Sequence, residues 1–159
     1  MKELDTYNIP SEEKVRALIA DKKRSSDMIR EETDLFREAL AANADGVWIW
    51  YVNEDYEFYD STFKEQLGYS DKEFPNTPDS WRNVIFEDDL TIALNNFTAH
   101  VESKGEYPYY QVVRYRHKDG STVYFICRGK VIKWDGDDPI VMIGTHTNIT
   151  DIIKDNELL

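Results

Sequence analysis

The chain has 159 residues, 41% apolar and 31% charged, which excludes a disordered polymer and allows one domain with a buried core plus some additional helix. Its 31 acidic residues against 19 basic ones leave a net charge of −12, a surface that repels phosphate and makes nucleic acid and anionic membrane poor partners. One cysteine, Cys127, closes no internal disulfide, and MKELDTYNIP has no apolar segment of the signal type, so a reducing cytoplasm is expected.

The first ten residues are polar and expected to fray. From Ser11 to Asp45 there is neither Pro nor Gly, and Ser11 followed by Glu12 and Glu13 reads as an N-cap with an acidic first turn. Val15, Leu18, Ile19, Met28, Ile29, Phe36 and Leu40 recur at helical spacing. The polar stretch 21–27 interrupts them, so the pattern predicts either two helices, the second capped by Thr33, or one long helix ending near Asn43. That narrow stripe suits packing on a partner helix or a sheet.

After Gly46 the period shortens. VWIWYV (47–52) reads as a strand, and it is also the longest apolar run, far short of a membrane span. Residues 53–55 make a turn and 56–59 a second strand. Short helical pieces broken by Gly68, Pro75 and Pro78 follow, and Asp88-Asp89 is expected to cap a longer helix carrying Leu90, Ala93, Leu94, Phe97 and Val101. Residues 107–117 and 121–134 form a hairpin across Lys118-Asp119-Gly120; residues 139–148 add a strand, and 151–159 begin another helix. The order satisfies an α+β fold, a five-stranded antiparallel sheet with helices over one face, preceded by an N-terminal helical extension.

FREALAANADGVWIWYV, FKEQLGYS, IFEDDL, VRYRHKDGSTVYFICRGKVI and VMIGTHTNIT, in this order, resemble a PAS domain of the PAS fold-3 type followed by its PAC half, over roughly Thr33 to Ile153. The implied organisation is an extension over 1–32, a sensor domain over 33–153 and a signalling helix starting at 154. Two departures stand out: Phe86-Glu87 replaces the usual His-Pro, and Asn148-Ile149-Thr150 replaces the closing Asp-Ile-Thr. The resemblance implies a sensor that detects a small organic ligand or a partner. It passes the change through flanking helices, as a homodimer held by its N-terminal helices, to an output domain in cis. In relatives that output is a diguanylate cyclase or a histidine kinase. No output signature occurs here, and the chain ends at Leu158-Leu159 without a helix stop, so a piece of a longer sensor is expected. Two further readings stand beside it: a ligand-free dimerisation module whose cavity is filled by side chains, and a flavin- or haem-binding redox or light sensor. No cofactor is favoured.

Tyr51, Trp81, Phe97, Tyr110, Arg114 and Tyr124 are the candidate ligand-binding residues, the aromatics as pocket walls or ordinary core and Arg114 as a carboxylate fork. The competing reading of Arg114 and Arg128 is a cross-strand pair or surface bridge. Asn148 and Thr150 are the candidate signal-relay residues. His100 lies where haem-binding relatives place an iron ligand, but near the helix end, where it can face solvent or cap the terminus. SWRNVIF lacks the cysteine of flavin-adduct relatives, and Cys127 reads as a core residue. Three scattered histidines have no metal-ligand spacing, 135–138 lacks an EF-hand pattern, and no nucleophile–base pair can be assembled, so no metal and no catalysis are expected.

Overall fold

A computed structural model describes residues 10–157. The polar residues 1–9 and the terminal Leu158-Leu159 lie outside the described residues. The chain divides into two compact units, 1–39 and 40–159.

Helix α1 (Glu12–Asn43) runs without interruption, so the second of the two sequence alternatives is the observed one and no second helix starts at Thr33. Its start is held by Ser11, whose Oγ accepts from Lys14 N–H at 3.3 Å and whose carbonyl accepts from Val15. At about 1.5 Å per residue such a helix is longer than most globular ones. Val15, Leu18, Ile19 and Leu35 are exposed on it, whereas the side chains of Met28, Ile29, Phe36 and Leu40 lie outside the described ones.

The second unit is built on one antiparallel sheet: β1 (Gly46–Tyr51), β2 (Tyr56–Tyr59), β3 (Tyr109–Arg116), β4 (Thr122–Asp135) and β5 (Asp138–Asn148), in spatial order β2-β1-β5-β4-β3. The last strand is therefore central. Gly120 and Gly136 take positive φ, 91° and 60°, in the tight turns flanking β4, a conformation that favours glycine. Between β2 and β3 run α2 (Ser61–Gln66), α3 (Pro78–Val84) and α4 (Glu87–Glu102), and α5 (Thr150–Glu157) leaves after β5.

Asp60 ties α2 to the sheet: one carboxylate oxygen accepts from Phe63 N–H at the helix start, the other from Val47 N–H of β1. The longer helix starts differently from the sequence expectation. Its cap position is Phe86, without a side-chain cap, and Glu87, Asp88 and Asp89 fill the first turn, where their charge suits the helix dipole. Asp89 faces β3 instead and holds Arg114.

Strand alternation decides which side chains meet the helices. Trp48 and Trp50 of β1, Tyr59 of β2, Val113 and Tyr115 of β3, Phe125 and Cys127 of β4, and Met142 and His146 of β5 share the inner face, most of them fully buried. Phe63 of α2 sits at their centre, stacked on His146 at 4.2 Å and 11° and edge-on to Tyr115 and Phe125. Gly129 and Gly144 pair across β4 and β5, and the Trp48 indole occupies the slot they leave. A Cβ on Gly144 would lie 2.1 Å from that ring. Glycine is required here by close approach, not by turn geometry.

Candidate functional site

Beneath α3 and α4 the inner face of the sheet encloses a cavity of about 40 Å³. Trp48, Cys127, Met142 and His146 form its floor, Trp50, Trp81, Phe97 and Tyr109 its walls, and Glu57, Arg82 and Leu94 complete the lining. Both Trp48 and Trp50 face inward because they sit at alternate positions of β1, and α4 supplies Ala93, Leu94 and Phe97 at helical spacing. Trp50 and Phe97 pack ring to ring at 5.0 Å.

Polar groups within this apolar shell are few. His146 is 2% exposed, and its Nε2 meets the Tyr115 hydroxyl at 2.8 Å; that hydroxyl also accepts from the Trp81 indole N–H at 2.8 Å. The Tyr115 hydroxyl proton has Nε2 as its one acceptor, so it donates there, which leaves the imidazole proton on Nδ1. Burial lowers the His146 pKa to about 3, so the ring is neutral at physiological pH. Burial also pushes the Cys127 thiol far up, which makes it an unreactive member of the floor.

Glu57 is the one carboxyl in the lining. Burial raises its pKa to about 7, against the opposing pull of the Tyr59 hydrogen bond and the Arg82 charge. The hydrogen-bond geometry accommodates the protonated form. The Tyr59 hydroxyl lies 2.8 Å from the Thr77 carbonyl and 2.9 Å from Glu57 Oε2. It has one proton, so both contacts are satisfied together when Glu57 is protonated and donates to the Tyr59 oxygen.

Of the candidate ligand residues, Trp81 and Phe97 stand in the lining of the cavity. The other four candidate ligand residues stand elsewhere. Tyr51 is exposed on β1 and packs its ring against Tyr56 at 5.6 Å. Tyr110 is 48% exposed, opposite Arg128 in the register, whose guanidinium lies 5.5 Å over its ring. Arg114 gives Nε and Nη2 to the two oxygens of Asp89 at 3.0 and 2.8 Å, and its backbone N–H adds a bond of 2.6 Å to the same carboxylate. That guanidinium holds the Asp89 carboxyl below its ordinary pKa. Tyr124 lies opposite Arg114 on the outer face. The physical reason is parity: all four belong to the outward set of their strands. Trp48, Glu57, Arg82 and His146 are the residues the sequence reading missed. For Trp48 the signal was the pair of glycines, Gly129 and Gly144, that makes room on the inner face.

His100 departs from the solvent-facing or capping role expected of it. It is 1% exposed, with Nδ1 2.7 Å from the Tyr107 carbonyl and Nε2 accepting from Val131 N–H at 3.1 Å. Both nitrogens are committed to backbone, so neither is left to ligate haem iron. A flavin does not fit either: about 40 Å³ is room for about three waters, against roughly 300 Å³ or more for sites of drug-sized ligands. Among the described residues no group of three or more His, Cys, Asp or Glu could hold a metal ion, and no helix is long and apolar enough to cross a membrane.

Asn148 and Thr150 join the two ends of the second unit. Asn148 Oδ1 accepts from Thr150 N–H at 3.0 Å and from its hydroxyl at 2.6 Å, while Nδ2 donates to Gln66 Oε1 at 2.8 Å. Asn148 N–H donates to Asp45 Oδ2 at 2.7 Å, and Gln66 Nε2 donates to the Asp45 carbonyl at 2.7 Å. Thr150 Oγ1 in turn accepts from Tyr124 N–H. The turn after α1, the end of α2, β4, β5 and the start of α5 thus share one ring of hydrogen bonds. Asparagine suits it where aspartate would not, because Gln66 Oε1 requires a donor.

A family model described as the PAS fold matches residues 56–146. No curated protein matches the chain. Solved structures do. A sensory box histidine kinase/response regulator from Burkholderia thailandensis is 25% identical over 77% of this chain and 90% of its own, with a TM-score of 0.66. The N-terminal domain of a diguanylate cyclase with PAS/PAC sensor from Marinobacter aquaeolei is 16% identical, covering 68% of this chain and 97% of its own, at a TM-score of 0.58. A PAS domain from Colwellia psychrerythraea is 16% identical, covering 73% and 98%, at 0.54. The last two carry the likeness of fold alone.

Proposed function

The chain belongs to the PAS family of sensor modules, and on that premise we propose that it senses a small ligand in the cavity under α4 and relays the change through the Asn148 junction to its flanking helices and to an output domain in cis. One observation carries this reading. His146, in the cavity floor, and Asn148, in the junction, lie two residues apart on the central strand β5. The same side of a strand recurs every second residue, so a shift of β5 under the cavity moves both side chains together. Asp45 N–H also donates to the His146 carbonyl at 2.8 Å, which brings the α1 end into the same linkage. A ligand acts only through its different affinity for two arrangements of these helices.

Ala93→Leu, which fills the cavity from α4, tests the relay without a ligand. In NMR spectra of the 159-residue chain it is expected to shift backbone amides 148–157 as well as those around the cavity. Asn148→Ala, combined with it, is expected to confine the shifts to the cavity. Shifts confined there in the single variant would sink the relay.

The output domain is read as a histidine kinase or a diguanylate cyclase, the company of two structural relatives. Dimerisation through α1 draws support from Val15, Leu18, Ile19 and Leu35, apolar side chains exposed on a helix of 32 residues. Sedimentation velocity is expected to find a dimer that Leu18→Glu with Ile19→Glu converts to monomer; a monomeric parent chain overturns it. The dimerisation-only reading is favoured by the small cavity volume, and separates from the first by the Ala93→Leu spectrum.

A further inference from the structure

The cavity floor has donors but lacks acceptors. Trp48 is 4% exposed and His146 2%, and neither Trp48 Nε1 nor His146 Nδ1 has a hydrogen-bond partner. The indole nitrogen is a donor only, and Nδ1 carries the imidazole proton because Nε2 accepts from Tyr115. Their floor neighbours are the Cys127 thiol and Met142 thioether, both weak acceptors. A buried donor left unpaired costs about 1–3 kcal/mol, so two in one cavity amount to a binding potential.

Water meets this need poorly. Each water that accepts from the indole or imidazole brings two protons of its own, and the one carboxyl in the lining, Glu57, is already paired with Tyr59. A carboxylate brings acceptors only. The lining also supplies a fixed cation, Arg82, and about 40 Å³ bounded by Trp50, Phe97 and Met142, room for a very short alkyl chain.

We propose that the cavity takes a monocarboxylate of two or three carbons, its oxygens accepting from Trp48 Nε1 and His146 Nδ1 and its charge balanced by Arg82. This rests on the reading of the cavity as the sensing site and names its ligand class.

Glu57 gives the proposal a signature. An anion entering beside it favours the protonated carboxyl, so binding takes up a proton wherever Glu57 is ionised in the free protein. The groups around Glu57 are Tyr59 on β2, Arg82 on α3, Tyr109 on β3, Cys127 on β4 and His146 on β5. Of these, Glu57 alone is placed to change charge near neutrality, burial holding it at about 7 while His146 stays neutral.

Three of the four tryptophans line the cavity, so intrinsic fluorescence reports occupancy. Acetate and propionate are titrated into the chain at about pH 6.5 and about pH 8.5, with acetone as the neutral isostere of acetate. Saturable quenching by the carboxylates is expected, weakening about tenfold or more at the higher pH. Glu57→Gln is expected to bind equally at both pH values, and Arg82→Ala, at an exposed position, to weaken binding about tenfold. Acetone matching acetate overturns the carboxylate while leaving a cavity ligand standing. No saturable response to either acid at about 100 mM overturns the proposal outright, and the Ala93→Leu spectrum then says separately whether the relay survives.

Discussion

Phe63→Ala is expected to lower the free energy of unfolding by about 3–5 kcal/mol in urea titrations monitored by circular dichroism. Phe63 is fully buried and lies at the meeting point of α2 with the inner sheet face. Its ring stacks on His146 at 4.2 Å and contacts Tyr59, Phe74, Tyr115 and Phe125 at centroid distances of 5.6–6.0 Å. Truncation removes the transfer energy of an aromatic ring and leaves a hole that five rigid rings cannot collapse into, because aromatic side chains have few rotamers to offer. It also exposes one face of a neutral, desolvated imidazole. Phe63→Leu, which keeps apolar volume, is expected to cost less than half as much. A loss below about 1 kcal/mol for Phe63→Ala would show that this cluster is not the centre of the core.

Glu57→Gln is expected to stabilise the protein relative to the parent by an amount that grows with pH, from near zero at about pH 4.5 to about 3 kcal/mol above pH 7. The folded protein holds the Glu57 proton up to about 7, whereas the unfolded chain releases it near 4.5. Between those values the folded state binds more protons, so raising the pH removes stability from the parent. The amide of the variant keeps the donor that Tyr59 receives and never ionises. His146 works in the opposite sense. Its folded pKa of about 3 lies below the ordinary 6.5, so its contribution is present above pH 6.5 and is lost as the pH falls toward 3. Because both proteins retain His146, their difference cancels it. Parallel stability–pH curves would overturn the assignment of Glu57 as a buried carboxyl protonated near neutrality.

These two side chains show how the candidate site divides between what is local and what is not. Phe63 stood within FKEQLGYS, one of the motifs that identified the fold, yet nothing in that motif says that the ring meets His146, 83 positions later. Glu57 sat in a short strand as an ordinary acid. Its protonation follows from burial, which no local pattern encodes and which outweighs the opposing pull of Tyr59 and of Arg82 on α3.

Elements whose energetics are local were legible in the residues alone. The VWIWYV strand, the Lys118-Asp119-Gly120 turn, the helix that stops before Gly105 and the antiparallel five-stranded sheet all follow from β-branched runs, glycine conformations and period. Alternation was legible too: Val47, Ile49 and Tyr51 do lie opposite Trp48 and Trp50. What the tertiary structure decided was the sign of that alternation. In β1 both sets are apolar, so hydrophobicity cannot say which faces the helices. The outward placement of Tyr51, Tyr110, Arg114 and Tyr124 follows from the β1–β5–β4–β3 register and from the Gly129–Gly144 slot that seats Trp48. The Asp45–Gln66–Asn148–Thr150 ring is likewise tertiary, since a hydrogen bond between residues 103 apart is fixed by where strands pair and not by what precedes or follows either residue.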